Sequence, residues 1–240
     1  MMNEDLLLPQ KMITFFRRRI NMGKFRNWID TNISLHTHDN AKEEKLNSLT
    51  HAAGAAAGLA GLIIMIIHGA GSPVLGGAVI FCITMIMMFT GSALYHFARP
   101  STAKRLLRIF DHSNIYFLIA GTYTPFCFKM ASPAGSSILI IIWSLVAAGI
   151  AFTLVFWGKL KPLHVVFYLA MGWMIVLFWK DFTSAFPESV IGWILAGGIF
   201  YTAGIIFYAS KKLPHYHAIW HLFVVGGCAC FYLGIFLHLL

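Results

Sequence analysis

Acid is what this chain has least of. Nine of its 240 residues are Asp or Glu, against eighteen Lys or Arg, and charged residues of both signs make up only 11% while hydrophobic ones reach 58%. A soluble globular surface needs about a quarter of its residues charged, so water is excluded as the solvent for most of this molecule. Cysteine is scarce too. The four present (Cys82, Cys127, Cys228, Cys230) all lie in apolar stretches, and Cys228-Ala229-Cys230 does not have zinc-knuckle spacing. They read as small packing residues, which argues against a structural disulfide framework. The first residues also lack the charged, apolar, small-residue order of a cleaved leader, so the first apolar run is expected to anchor the chain.

Apolar runs are what the chain has in quantity. Spans of roughly 17 to 25 apolar residues fit a bilayer, and seven segments qualify: Leu49 to His68, Val74 to Phe97, Asp111 to Phe128, Ser136 to Trp157, Leu163 to Trp179, Ser189 to Ala209 and Tyr216 to Leu240. The expected fold is therefore an all-α integral membrane protein, a seven-transmembrane helix bundle over residues 44–240. Residues 1–43 are expected to form a basic cytoplasmic tail. Within it, Met12 to Ile29 mixes Phe, Ile and Trp with Arg and Lys, as does an amphipathic segment lying on an anionic leaflet. A basic tail without structure accounts for the same composition. Gly54, Gly58 and Gly61, three or four apart in the first span, suit close helix packing.

Sixteen of the eighteen Lys and Arg fall in the tail or in the loops after the second, fourth and sixth spans; Lys129 and Lys180 alone fall on the other side. This bias places the N-terminus in the cytoplasm and the C-terminus outside. Topology thus accounts for the net charge of +9, and no basic domain is left over to bind nucleic acid.

Ionisable groups inside a span are expensive and mark function. His96 precedes Arg99 by three residues, Asp111 follows Arg108 by three, and His217 and His221 follow Lys212 by five and nine. At about 1.5 Å per residue, three helices thus deliver four such groups within roughly 5 to 14 Å of basic anchors on the cytoplasmic side. His217 and His221, four apart, project from one helix face and can grip one ion. His96 would complete a three-histidine zinc site with an open position, as in catalytic zinc centres. Ser92, one turn from His96, can hydrogen-bond water at the metal or a substrate oxygen. Asp111 can orient that water and take its proton, or ligate directly. Glu44, Asn47 and His51 form one stripe opening the first span and are expected to support the site from outside the ligand set. Asn47 and Thr50 also read as capping or packing residues, His112 as structural, and Asp111 as a partner of Arg108 or a helix cap.

Four motifs in order, "EEKLNSLTH", "SALYH", "FDHSNIYFLIAGTYTPF" and "PHYHAIWH", resemble the hemolysin III branch of the progestin and adipoQ receptor family, a bacterial relative of the adiponectin receptors. The resemblance implies a seven-helix bundle in the bacterial inner membrane. It also implies a zinc ion near the cytoplasmic leaflet, surrounded by Ser92, His96, Asp111, His217 and His221. Receptor relatives are associated with ceramidase-like lipid hydrolysis, and bacterial members with haemolysis and membrane-fluidity homeostasis. Three functions compete: a zinc-dependent hydrolase of amide or ester lipids, a cytolysin or channel, and a membrane-state sensor with structural zinc. No span carries a polar stripe along its length, which disfavours a wide pore. Three histidines without a fourth protein ligand favour an open site over a structural one.

Overall fold

The computed structural model describes residues 23–35, 40–157 and 161–240. The described residues are helical with no strand. A short helix α1 (23–32) is followed by α2 (Ala41–His68), α3 (Leu75–Phe97), α4 (Thr102–Met130), α5 (Pro133–Val155), α6 (Lys161–Gly172), a 3-10 segment (Trp173–Phe178), α7 (Trp179–Ala185), α8 (Glu188–Ala209) and α9 (Tyr216–His238). The long helices form a ring in chain order. α3 packs against both α2 and α4, α4 against α5, α8 against α9, and α9 returns to α2; the α6–α7 run joins the ring through fewer contacts.

Six of these elements are long and apolar enough to cross a membrane: α2, α3, α5, Leu163–Ala185, α8 and α9. The third span expected from sequence lies within α4, which is absent from that set: past its charged start, Asn114, Thr122, Tyr123, Thr124, Pro125 and Lys129 still hold its hydropathy down. The physical reason is shielding: from Ser113 to Cys127 most of α4 is buried by its neighbours, so it meets protein where the other helices can meet lipid.

Local chemistry sets the helix ends. The Asn40 side chain accepts from the amides of Lys42 and Glu43, both at 3.0 Å, to start α2, and Ser101 caps α4 through the Lys104 amide at 3.2 Å, satisfying donors a helix start leaves open. Close packing follows the expected small residues. A methyl at Gly54 would sit 3.2 Å from the Phe89 ring, and one at Gly61 only 2.9 Å from Tyr232, so the glycines let α2 approach α3 and α9. The four cysteines are free thiols, three of them buried.

Two features depart from the sequence expectation. The fifth span is not one helix, because the Tyr123 hydroxyl enters its backbone. It donates to the carbonyls of Met171 (3.2 Å) and Gly172 (2.8 Å) and accepts from the Ile175 amide (3.0 Å), taking over groups an α-helix would pair internally. The basic tail, for its part, is not wholly separate from the bundle. Most of the amphipathic segment expected over Met12 to Ile29 lies outside the described residues, but α1 docks on the start of α4. There Asp30 accepts from Thr102 (2.9 Å) and pairs with Arg105 (3.3 Å), Ile29 and Ile33 are buried, and Arg105 and Arg108 donate to the carbonyls of Ile33 and Ser34.

Candidate metal centre

The end of α3 and the starts of α2, α4 and α9 share one end of the bundle. His215 takes a left-handed backbone conformation (φ 58°) and turns the chain into α9. His217 and His221 then stand one turn apart on the same face, opposite His96 in the last turn of α3. One ring nitrogen of each lies within 4.8 Å of the others, and all three residues are buried. Their ring centroids are 4.7 to 5.3 Å apart.

The outward hydrogen bonds decide which nitrogens face inward. His96 Nδ1 is 3.1 Å from Glu44 Oε2; a carboxylate only accepts, so Nδ1 carries the hydrogen. The Thr50 hydroxyl donates to the Asn47 carbonyl at 2.9 Å. His221 Nδ1 lies 3.0 Å from that hydroxyl oxygen and 3.2 Å from that carbonyl. With the hydroxyl hydrogen already used, His221 Nδ1 is the donor as well. In the neutral form of both rings Nε2 then presents the lone pair, and each Nε2 is buried with no hydrogen-bond partner. A buried polar atom left so costs about 1–3 kcal/mol unless something binds it. Neutral imidazoles held by outward Nδ1–H bonds are what metal ligation requires. The donor set fits zinc, and the cluster can hold a metal ion.

The other expected residues gather here with some changes of role. Glu44 holds His96, and Asn47 acts through its main-chain oxygen. His51, fully buried, stacks on His221 at 3.6 Å and 18°. Ser92 lies beside the Asp111 carboxylate. Two partners went unnoticed in the sequence reading: Thr50, and Lys104, whose Nζ is 3.0 Å from Glu44. His112, read as structural, donates from Nδ1 to the Arg108 carbonyl at 3.0 Å but also lines the cavity described next.

Beside the cluster lies a cavity of about 830 Å³ lined mainly by α4, the fifth span, α8 and α9, near the upper end of the roughly 300–1,000 Å³ usual for ligand pockets. Asp111 and His217 line one end of it, and Phe126 and Phe231 also line it. Fifteen residues of helix separate Asp111 from Phe126, so the space runs about 22 Å along α4. The Asp111 side chain is 16% exposed and lines the cavity. The end near the histidines is polar, with Arg108 and Lys211 also present; farther along, Leu118, Ile119, Ile194 and Phe182 make it apolar.

The profile of the family described as Haemolysin-III related matches residues 40–232. Hemolysin-3 of Bacillus cereus is 38% identical over 203 residues, covering 83% of this chain and 93% of that protein. A Hemolysin-3 homolog of Bacillus subtilis (strain 168) is 37% identical over 195 residues, with coverage of 80% and 92%. The human monocyte to macrophage differentiation factor is 29% identical over 169 residues, 67% of this chain and 69% of its own length.

Proposed function

The chain belongs to the Haemolysin-III related family of multi-pass membrane proteins, and from that premise and its histidine cluster we propose that it is a zinc-dependent hydrolase of amide or ester lipids, serving lipid homeostasis in the bacterial inner membrane. The observation that carries the reading is the pair of bare, buried Nε2 atoms on His96 and His221, converging with His217 at the polar end of an apolar cavity.

In this reading α4 is the third of seven spans, the N-terminus is cytoplasmic and the C-terminus outside. The distribution of Lys and Arg supports that orientation, and it puts the cluster near the cytoplasmic leaflet. His96, His217 and His221 would hold the ion. When bound, zinc polarises a carbonyl and makes water a nucleophile near neutral pH. Asp111 is the general base: its carboxylate faces the cavity, takes a proton there and returns it to the leaving amine or alcohol. Ser92, beside that carboxylate, steers it. The apolar length of the cavity holds the acyl chain and excludes water from it. The exposed Phe25 and Trp28 of α1, interleaved with Lys24 and Arg26, support contact between the tail and an anionic leaflet.

The test compares zinc-loaded wild type with Asp111→Asn in nanodiscs, against a panel of N-acyl and O-acyl lipids read by mass spectrometry. Wild type is expected to release fatty acid. Asp111→Asn is expected to keep its zinc while turnover falls about 10²–10⁴-fold, the worth of a general base. A zinc-loaded wild type that turns over none of the panel refutes the hydrolase.

A further inference from the structure

Lys104 is one of four basic residues between the second and third expected spans, and in sequence nothing sets it apart from Arg99, Arg105 or Arg108. A charge that served only to orient the chain would belong in water, as Arg99 does. The Lys104 side chain instead is 6% exposed. Its ammonium lies 3.0 Å from Glu44 Oε2 and 5.1 Å over the ring of Tyr95. Burying a lysine is unfavourable unless its partners are well placed, so these partners say what the burial is for.

Both lead to His96. Tyr95 is its chain neighbour. Glu44 Oε2, the oxygen that takes the Lys104 ammonium, is also the oxygen that takes the His96 Nδ1 hydrogen at 3.1 Å. One carboxylate oxygen thus joins α2, α3 and α4 at a single point. We propose that Lys104 is a positioning residue of the metal centre: by gripping Glu44 it fixes the His96 ring with Nδ1 as donor and Nε2 turned toward His217 and His221. Without the ammonium the Glu44 side chain, 16% exposed, is free to turn to solvent, and the ring loses the contact that selects its tautomer and angle. The inference rests on the metal reading and adds the contact that holds one ligand in place.

The experiment uses the full chain in detergent. Zinc affinity is measured by competition with a chromophoric chelator, the ligand field by the visible absorption of the cobalt-substituted protein, and apo stability by thermal unfolding. Outer-sphere partners of a ligating histidine are worth about 10–100-fold in metal affinity. Glu44→Gln is therefore expected to fall in that range, Lys104→Met about tenfold, and Lys104→Arg, which restores a cation, within about threefold of wild type. The cobalt bands should move in Lys104→Met and return in Lys104→Arg. Glu44→Gln/Lys104→Met should bind no more weakly than Glu44→Gln, because the lysine acts through the glutamate. Lys104→Gln gives a second probe if Lys104→Met does not fold. A Lys104→Met or Lys104→Gln protein with wild-type affinity and cobalt bands, whatever its apo stability, overturns the positioning role alone. A wild type that takes up no zinc overturns the metal reading and this inference with it.

Discussion

Replacing Thr50 by Val tests the tautomer argument with little change of shape. The hydroxyl donates to the Asn47 carbonyl at 2.9 Å and offers its lone pair to His221 Nδ1 at 3.0 Å. Valine keeps the β-branch and removes that acceptor. The Asn47 carbonyl, 3.2 Å from the same nitrogen, stays in place, so His221 loses one of two acceptors rather than its only one. A single neutral hydrogen bond contributes about 1 kcal/mol net, which corresponds to roughly fivefold in a dissociation constant. Thr50→Val is therefore expected to weaken zinc binding about fivefold, below the roughly 10–100-fold for losing an outer-sphere partner outright. Asn47→Ala keeps the main-chain acceptor and should change affinity less than Thr50→Val does. Chelator competition on both variants, with apo unfolding in parallel, gives the answer. Unchanged affinity in Thr50→Val, or a loss beyond a hundredfold, would refute the assignment of His221 Nδ1 as a shared donor.

Two further substitutions probe the scaffold. A methyl at Gly149 would lie 2.6 Å from the ring of Tyr116, which is fully buried and bonded to Thr153, so Gly149→Ala should destabilise by about 1–3 kcal/mol. Gly192→Ala, with nothing within 4 Å, should be neutral or stabilising by up to about 1 kcal/mol; equal thermal midpoints for the two variants would contradict the packing described. Tyr123→Phe removes the hydroxyl's hydrogen bonds to Met171, Gly172 and Ile175 at the break in the fifth span. It should cost about 1–3 kcal/mol and speed amide exchange over residues 171–175, and unchanged exchange there would mean that Tyr123 does not hold the break.

The histidine cluster could be read from the chain because a bilayer makes polar residues conspicuous. His217 and His221 announce their common face by their spacing, and His96 and Asp111 stand out at the edges of apolar runs. Ser92 is conspicuous by the same logic, and it lies beside Asp111. Hydrophobic runs likewise located the helices, including α4, whose polar residues lower its hydropathy because neighbouring helices cover it. Glu44, Asn47 and His51 were visible as a stripe; what each one touches was not.

The residues that were missed share a physical cause: each owes its role to a partner far away along the chain. Thr50 reads as an ordinary capping residue until His221, 171 positions on, brings a ring nitrogen to its hydroxyl. Lys104 matches its basic neighbours until α2 supplies Glu44, 60 positions back. The segment Trp173–Phe178 carries no Pro or Gly, and Gly172 just before it keeps ordinary helical angles (φ -63°, ψ -39°), since the break comes from the hydroxyl of a tyrosine on α4. Period and composition report what a residue costs in lipid, and so they expose the candidate ligands, each of which is costly by itself. The groups that aim those ligands cost little individually and matter only as pairs, so a one-dimensional pattern leaves them hidden until the helices have been placed side by side.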